Sequence, residues 1–203
     1  MINVVIVEDN NTIRNGLKEF LNNSKEYKCV ADFSNCENLL QNFESLQIDV
    51  ILMDIELPGI SGIEGIKQIR ALDENPRIII LTIYSESENL FEALQAGASG
   101  YLEKKTPPIQ MLKVIGEVYA SKSYMNTYIA RKVLNHFNKK NVAAKNGEIL
   151  EKPEFSVLTE LIEGKSPKAI ADHLQIPMEK VHAYFYSVYQ KLHLNLELKK
   201  IPL

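Results

Sequence analysis

The sequence of 203 residues predicts an α/β domain built on a five-stranded parallel sheet, followed by a small all-α domain. Two observations predict this. Up to about residue 105, short β-branched runs alternate with stretches of helical periodicity, and near-continuous apolar strands of that kind belong to a parallel sheet covered on both faces. Beyond residue 120 the strand signal vanishes and only helical patterns remain.

The strand runs fall at 3–7, 28–33, 48–53, 77–82 and 99–102. Between them, Ile13, Leu17, Phe20 and Leu21 recur at helical spacing, as do Ile63, Ile66 and Ile69. The glycines of GISGIEG (59–65) miss the spacing of a dinucleotide-binding loop, so a turn is expected there. A helix over 107–120 closes the α/β part. Residues 123–138 read as a further helix, and 141–147 (NVAAKNG) as a flexible joint. Three short helices follow at 153–163, 166–174 and 178–192. Gly164 closes the first, Ser166 caps the second and Pro177 starts the third. Val181, Phe185, Val188 and Leu192 mark the buried face of that third helix. The expected organisation is a domain over 1–122, a helical linker over 123–147 and a helical domain over 148–203.

Composition excludes several classes. Hydrophobic content of 45% and charged content of 24% match an ordinary globular chain, not a disordered tail or a collagen. Cys29 and Cys36 are too few for a disulfide scaffold and lack zinc spacing, so reduced thiols are expected. The four histidines, His136, His173, His182 and His193, show no metal-ligand spacing either. No apolar run approaches the roughly 18 residues that cross a bilayer. The opening MINVVIVEDN meets Glu8 before a signal peptide could develop, so a cytoplasmic protein without membrane contact is expected. The net charge of −3 is unevenly spread: −7 over 1–122, +5 over 123–147 and −1 over 148–203.

Polar residues gather where the strands end. The first strand runs into Glu8 and Asp9, the third delivers Asp54, the fourth ends in Thr82 and the fifth precedes Lys104. Open α/β sheets place their ligand sites along this edge. Singly, each has a plainer reading: an acid after a strand caps a helix, Thr82 is a good strand former, and Lys104 is a solvated loop lysine. Together, three carboxylates, a hydroxyl and a lysine suit a hard cation such as Mg²⁺ beside a phosphoryl group. Phosphoryl transfer needs mainly positioning and charge neutralisation, and one carboxylate would act as the nucleophile.

These segments, VVIVEDN, ILMDIELPGISG, LTIYSES and ALQAGASGYLEKKTPP, resemble the receiver domain of bacterial two-component response regulators over about residues 1–120. The resemblance implies a flavodoxin-like fold with Asp54 as phosphoacceptor, served by a sensor histidine kinase. It implies Mg²⁺ held by Glu8, Asp9, Asp54 and the main-chain carbonyl of Glu56. Lys104 would pair with the phosphoryl group, and Thr82 and Tyr101 would form the switch pair. The bistable surface would comprise the helix at 86–96, the last strand and the 107–120 helix, while Glu56 and Tyr84 would tune dephosphorylation. Such a protein is a phosphoacceptor, with Mg²⁺-dependent self-phosphorylation and slow self-dephosphorylation, and not otherwise an enzyme.

Residues 150–192 resemble the helix-turn-helix output domain of the NarL/FixJ, or LuxR-type, regulators. Glu154, Val157, Leu158, Gly164, Ser166, Lys168, Ile170, Ala171 and Leu174 fall on its pattern, as do Ile176, Val181, Lys191 and Leu192. The resemblance places His182, Ala183 and Tyr186 at base-facing positions and implies promoter DNA as a partner and a homodimer on activation. Phosphate contacts are expected from Lys168, Lys180 and Lys191. Tyr184 stands in place of the family's histidine and Pro177 in place of its capping serine; after Leu194 only NLELKKIPL follows, so the family's fourth helix is expected to be truncated or absent. Tyr184 and Phe185 are expected in the core, whereas Tyr186 and Tyr189, if exposed, would suit a protein contact. Two functions stay open: a phosphorylation-controlled transcription regulator, or a signalling adaptor whose helix-turn-helix domain contacts protein. Steep salt dependence of DNA binding separates them.

Overall fold

The computed structural model describes all residues except 84–87, 122, 142–149 and 198–203, and the side chains of 139–141 and 194–197. The chain divides into two compact units, Met1–Ala120 and Ser121–Leu203.

The first unit alternates strand and helix. β1 (Ile2–Val7), β2 (Tyr27–Phe33), β3 (Val50–Asp54), β4 (Arg77–Thr82) and β5 (Gly100–Glu103) form one parallel sheet in the order β2-β1-β3-β4-β5. Its centre is fully buried: Val4–Val7, Val50–Met53 and Ile78–Leu81 expose nothing. Burial on both faces is why these strands read as continuous apolar runs and not as alternating ones. Helices α1 (Asn11–Asn22), α2 (Cys36–Asn42), α3 (Gly62–Leu72), α4 (Glu88–Gln95) and α5 (Pro108–Ser121) connect and follow the strands. Asn10, Asn35 and Ser61 cap α1, α2 and α3 through their side-chain oxygens. The strand order reverses direction at β1, so β1 and β3 flank the crevice where such sheets bind ligands.

Cys29 and Cys36 are both buried, and burial pushes their thiols up to about 11 and about 12. They are neutral and unreactive at physiological pH.

The second unit is helical: α6 (Thr127–Asn141), α7 (Lys152–Ile162), α8 (Pro167–Leu174) and α9 (Met178–Glu197). The boundaries shift most at the start of α6 and the end of α9. Residues 123–126 are not helical, because Asn126 caps α6: its Oδ1 accepts from Ile129 N at 2.9 Å and its carbonyl from Ala130 N at 2.9 Å. α9 continues past residue 192 to Glu197. The joint at 142–147 and the tail at 198–203 lie outside the described residues, as does Tyr84. Helix α6, expected as a linker, packs on α7, and Thr127 Oγ1 donates to Leu161 O at 3.1 Å. Its Ile129, Val133 and Phe137 share the core with Leu158, Ile170, Phe185 and Leu192. No helix among the described residues is long and apolar enough to cross a membrane.

Candidate functional site

The parallel register brings the strand ends together. Asp54 is the last residue of β3, Thr82 the last of β4, and Lys104 follows β5 directly, its N–H donating to Thr82 O at 2.8 Å. Glu8 follows β1, held to the sheet by Glu8 N donating to Phe33 O at 3.0 Å. The loop after Asp54 turns back through Gly59, at φ 74°, and enters α3 at Gly62, whose N–H donates to Ile55 O. A Cβ at Gly62 would lie 1.9 Å from Asp54 O, so only glycine lets α3 start against this strand end.

Lys104 is the hub of the site. Its Nζ donates to Asp54 Oδ2 at 2.8 Å and to Glu8 Oε1 at 3.0 Å, and lies 2.8 Å from Glu8 Oε2. Glu8 is fully buried and Asp54 is only 4% exposed. Asp9 is exposed, yet one carboxylate oxygen each from Glu8, Asp9 and Asp54 lies within 4.8 Å of the others. Burial raises the pKa of Glu8, with the neighbouring Asp54 charge adding to it, against the opposing effect of Lys104. Burial works against the Lys104 ammonium, but its hydrogen bonds to Asp54 and Glu8 outweigh this and hold its pKa up. A crowded carboxylate group, one member of which resists ionising, is short of positive charge. Glu8 Oε2 is buried, and the Lys104 ammonium 2.8 Å away makes no aligned hydrogen bond to it. Hard oxygen donors in this arrangement suit a small divalent cation.

Beside the carboxylates lies a pocket of about 60 Å³ lined by Asp54, Ile55, Glu56, Thr82, Ile83, Asn89 and Lys104. At roughly 15 Å³ per water, it has room for a group the size of a phosphoryl. Thr82 is 6% and Tyr101 5% exposed, on β4 and β5 respectively. Glu56 is exposed, with its N–H 3.4 Å from Asp54 Oδ1. The expected residues Glu8, Asp9, Asp54, Lys104, Thr82 and Glu56 thus share one strand edge.

Sequence reasoning missed three residues here. Asn89, in the first turn of α4, lines the pocket. Arg14 on α1 reaches the carbonyls of Glu8 and Asp9, and Asp32 in β2 holds Arg14. An aspartate between the apolar residues Ala31 and Phe33 of a strand was the available signal for Asp32.

In the second unit, α8 and α9 form a helix-turn-helix. Ser166 Oγ caps α8 by accepting from Ala169 N at 3.2 Å, and Gln175 closes it in the left-handed region at φ 54°. Lys168, Lys180 and Ala183 are exposed; His182 and Tyr186 are half-buried. Lys180 Nζ lies 5.4 Å from the centre of the Tyr184 ring. Lys191, expected at a DNA phosphate, directs its ammonium instead to the buried carboxylate of Glu154, at 2.7 Å. Tyr189 is not an exposed contact residue: it is 4% exposed, and its hydroxyl donates to Tyr124 O at 2.7 Å. Phe185 is in the core as expected, while Tyr184 is half-buried.

Comparison with known families accounts for both units. The response regulator receiver domain matches residues 4–116, and the luxR family of bacterial regulatory proteins matches residues 148–197. The response regulator UvrY of Escherichia coli (strain K12) is 29% identical over 96% of this chain and 89% of its own length. The uncharacterized transcriptional regulatory protein YhcZ of Bacillus subtilis (strain 168) is 32% identical over 93% of this chain and 88% of its own. In fold, the two-component response regulator RcsB in its DNA complex is similar with a TM-score of 0.59, covering 99% of both chains at 22% identity.

Proposed function

Because the chain belongs to the bacterial response regulators that join a receiver domain to a luxR-family helix-turn-helix domain, we propose that phosphorylation of Asp54 controls its binding to promoter DNA. The observation that carries the receiver half is the hydrogen-bonded cluster Asp54–Lys104–Glu8 beside an open pocket.

The phosphodonor is the phosphohistidine of a sensor histidine kinase. A carboxylate oxygen of Asp54 attacks phosphorus, the P–N bond breaks, and the departing imidazole takes the electron pair. Lys104 already sits on Asp54 Oδ2, so it has only to transfer one hydrogen bond to a phosphoryl oxygen. Glu8, Asp9, Asp54 and the main-chain carbonyl of Glu56 would hold Mg²⁺, which supplies charge neutralisation at the transferring group. The phosphoryl group places about two negative charges beside Lys104 and Thr82. The Thr82 hydroxyl turns toward it, and Tyr101, already buried on β5, repacks with it, altering the surface of α4, β5 and α5 on which a homodimer forms. Hydrolysis of the acyl phosphate is slow and needs no residue beyond these, so the chain is a timed switch and not a turnover catalyst. Output is transcriptional and cytoplasmic, with Lys168 and Lys180 on DNA phosphates and His182, Ala183 and Tyr186 facing bases.

Asp54→Asn is expected to abolish acid-labile labelling by a small-molecule phosphodonor with Mg²⁺; labelling that survives removes Asp54 as nucleophile. A second reading, a protein-contacting adaptor, is favoured by one observation: the Lys191 ammonium is engaged by Glu154. Absence of DNA binding by the phosphorylated chain at low salt would select it.

A further inference from the structure

The β1–α1 loop that carries the acidic pair is held from behind by one side chain. Arg14 lies in the first turns of α1 with only 13% of its side chain exposed. Its Nη1 donates to Glu8 O at 2.5 Å and to Asp9 O at 3.2 Å. Its Nη2 donates to Asn11 Oδ1, and its Nε lies 3.4 Å from Asp32 Oδ2. Asp32 is itself fixed by Lys18, whose Nζ donates to Oδ1 at 2.6 Å.

The guanidinium therefore does not neutralise the acidic pair; it grips the backbone beneath it. With both carbonyls bound to one planar fork, the peptide planes of Glu8 and Asp9 are fixed, and with them the directions in which the two carboxylates leave the chain. We propose that Arg14, oriented by Asp32, is a positioning residue for the divalent-cation site, setting the geometry of Glu8 and Asp9 without touching the ion. This rests on the reading of Glu8, Asp9 and Asp54 as a Mg²⁺ site. Lysine cannot replace the fork: a single ammonium has no planar set of donors that spans two carbonyls and a carboxylate. Outer partners of this kind are worth roughly 10- to 100-fold in metal affinity.

The test is calorimetric titration of the full chain with MgCl₂, paired with thermal melting in chelator. Arg14→Lys is expected to weaken Mg²⁺ binding by about tenfold, and Asp32→Asn by less, while the metal-free melting temperature stays near that of the parent chain. A purely structural role would give the reverse, a lowered metal-free melt with unchanged Mg²⁺ affinity, and would overturn the assignment. If Arg14→Lys does not fold, Asp32→Asn decides by the same criterion. Asp9→Asn is the control on the site itself: if it binds Mg²⁺ as the parent does, or if the parent binds none, the acidic-site reading fails and Arg14 loses its role with it.

Discussion

Glu8 shows how a residue's surroundings set its chemistry. Its carboxyl sits above the ordinary carboxylate range because burial, and then Asp54, disfavour the charged form. In the absence of metal the fold thus favours protonated Glu8, a contribution present below the unfolded-state value and lost as pH rises through the folded one. A cation has the opposite preference. Mg²⁺ affinity is therefore expected to fall on acidification from neutrality, beginning where ordinary carboxylates are still ionised. Titrations at successively lower pH, compared with the metal-free chain, check this, and an affinity that does not fall before ordinary carboxylates begin to protonate contradicts it. The strand-end acids, hydroxyl and lysine were legible in the sequence because each follows an apolar run. Arg14 was not, since its partners are main-chain oxygens, which no residue pattern announces.

Among the elements, α7 and α9 are joined by a buried polar hub. Glu154 is 1% exposed and accepts from Ser187 Oγ at 2.6 Å, Lys191 Nζ at 2.7 Å and Glu151 N at 2.7 Å. Lys191→Met strands a buried carboxylate and is expected to destabilise the second unit by about 3 kcal/mol, whereas the paired change with Glu154→Met should recover much of the loss. Chemical denaturation of the single and double variants checks this, and additive losses would contradict it. Sequence reading had Glu154 and Lys191 on the family pattern, but nothing in the spacing showed that they meet 37 residues apart. The same limit applied to Tyr189, expected as a protein-contact residue if exposed, yet buried and fixed by a hydrogen bond to Tyr124. Helix types and order were largely legible because elements such as α1 and α9 carry their own apolar period and α8 its Ser166 cap. The start of α6 was missed because the capping role of Asn126 was overlooked.

For the whole molecule, the placing of α6 alters the charge balance. Counted from residue 148, the output region is slightly acidic, an unpromising partner for DNA. Yet α6 packs on α7 within the second unit, so its cations belong there. Over 121–203 the chain carries 13 basic and 8 acidic side chains, net +5, against 10 basic and 18 acidic over 1–120, net −8. Arg131 on α6 is exposed, as are Lys168 and Lys180 of the helix-turn-helix. This asymmetry favours DNA over protein as the partner of the second unit, because phosphate contacts dominate such affinity.

The most direct measurement is the DNA affinity of the phosphorylated and unphosphorylated chain across a salt series. Phosphorylation at Asp54 is expected to raise affinity, with the logarithm of the binding constant falling linearly against that of salt at about −0.9 per phosphate contact. No binding at low salt, or binding identical in the Asp54→Asn variant treated with phosphodonor, would contradict a phosphorylation-controlled DNA-binding regulator.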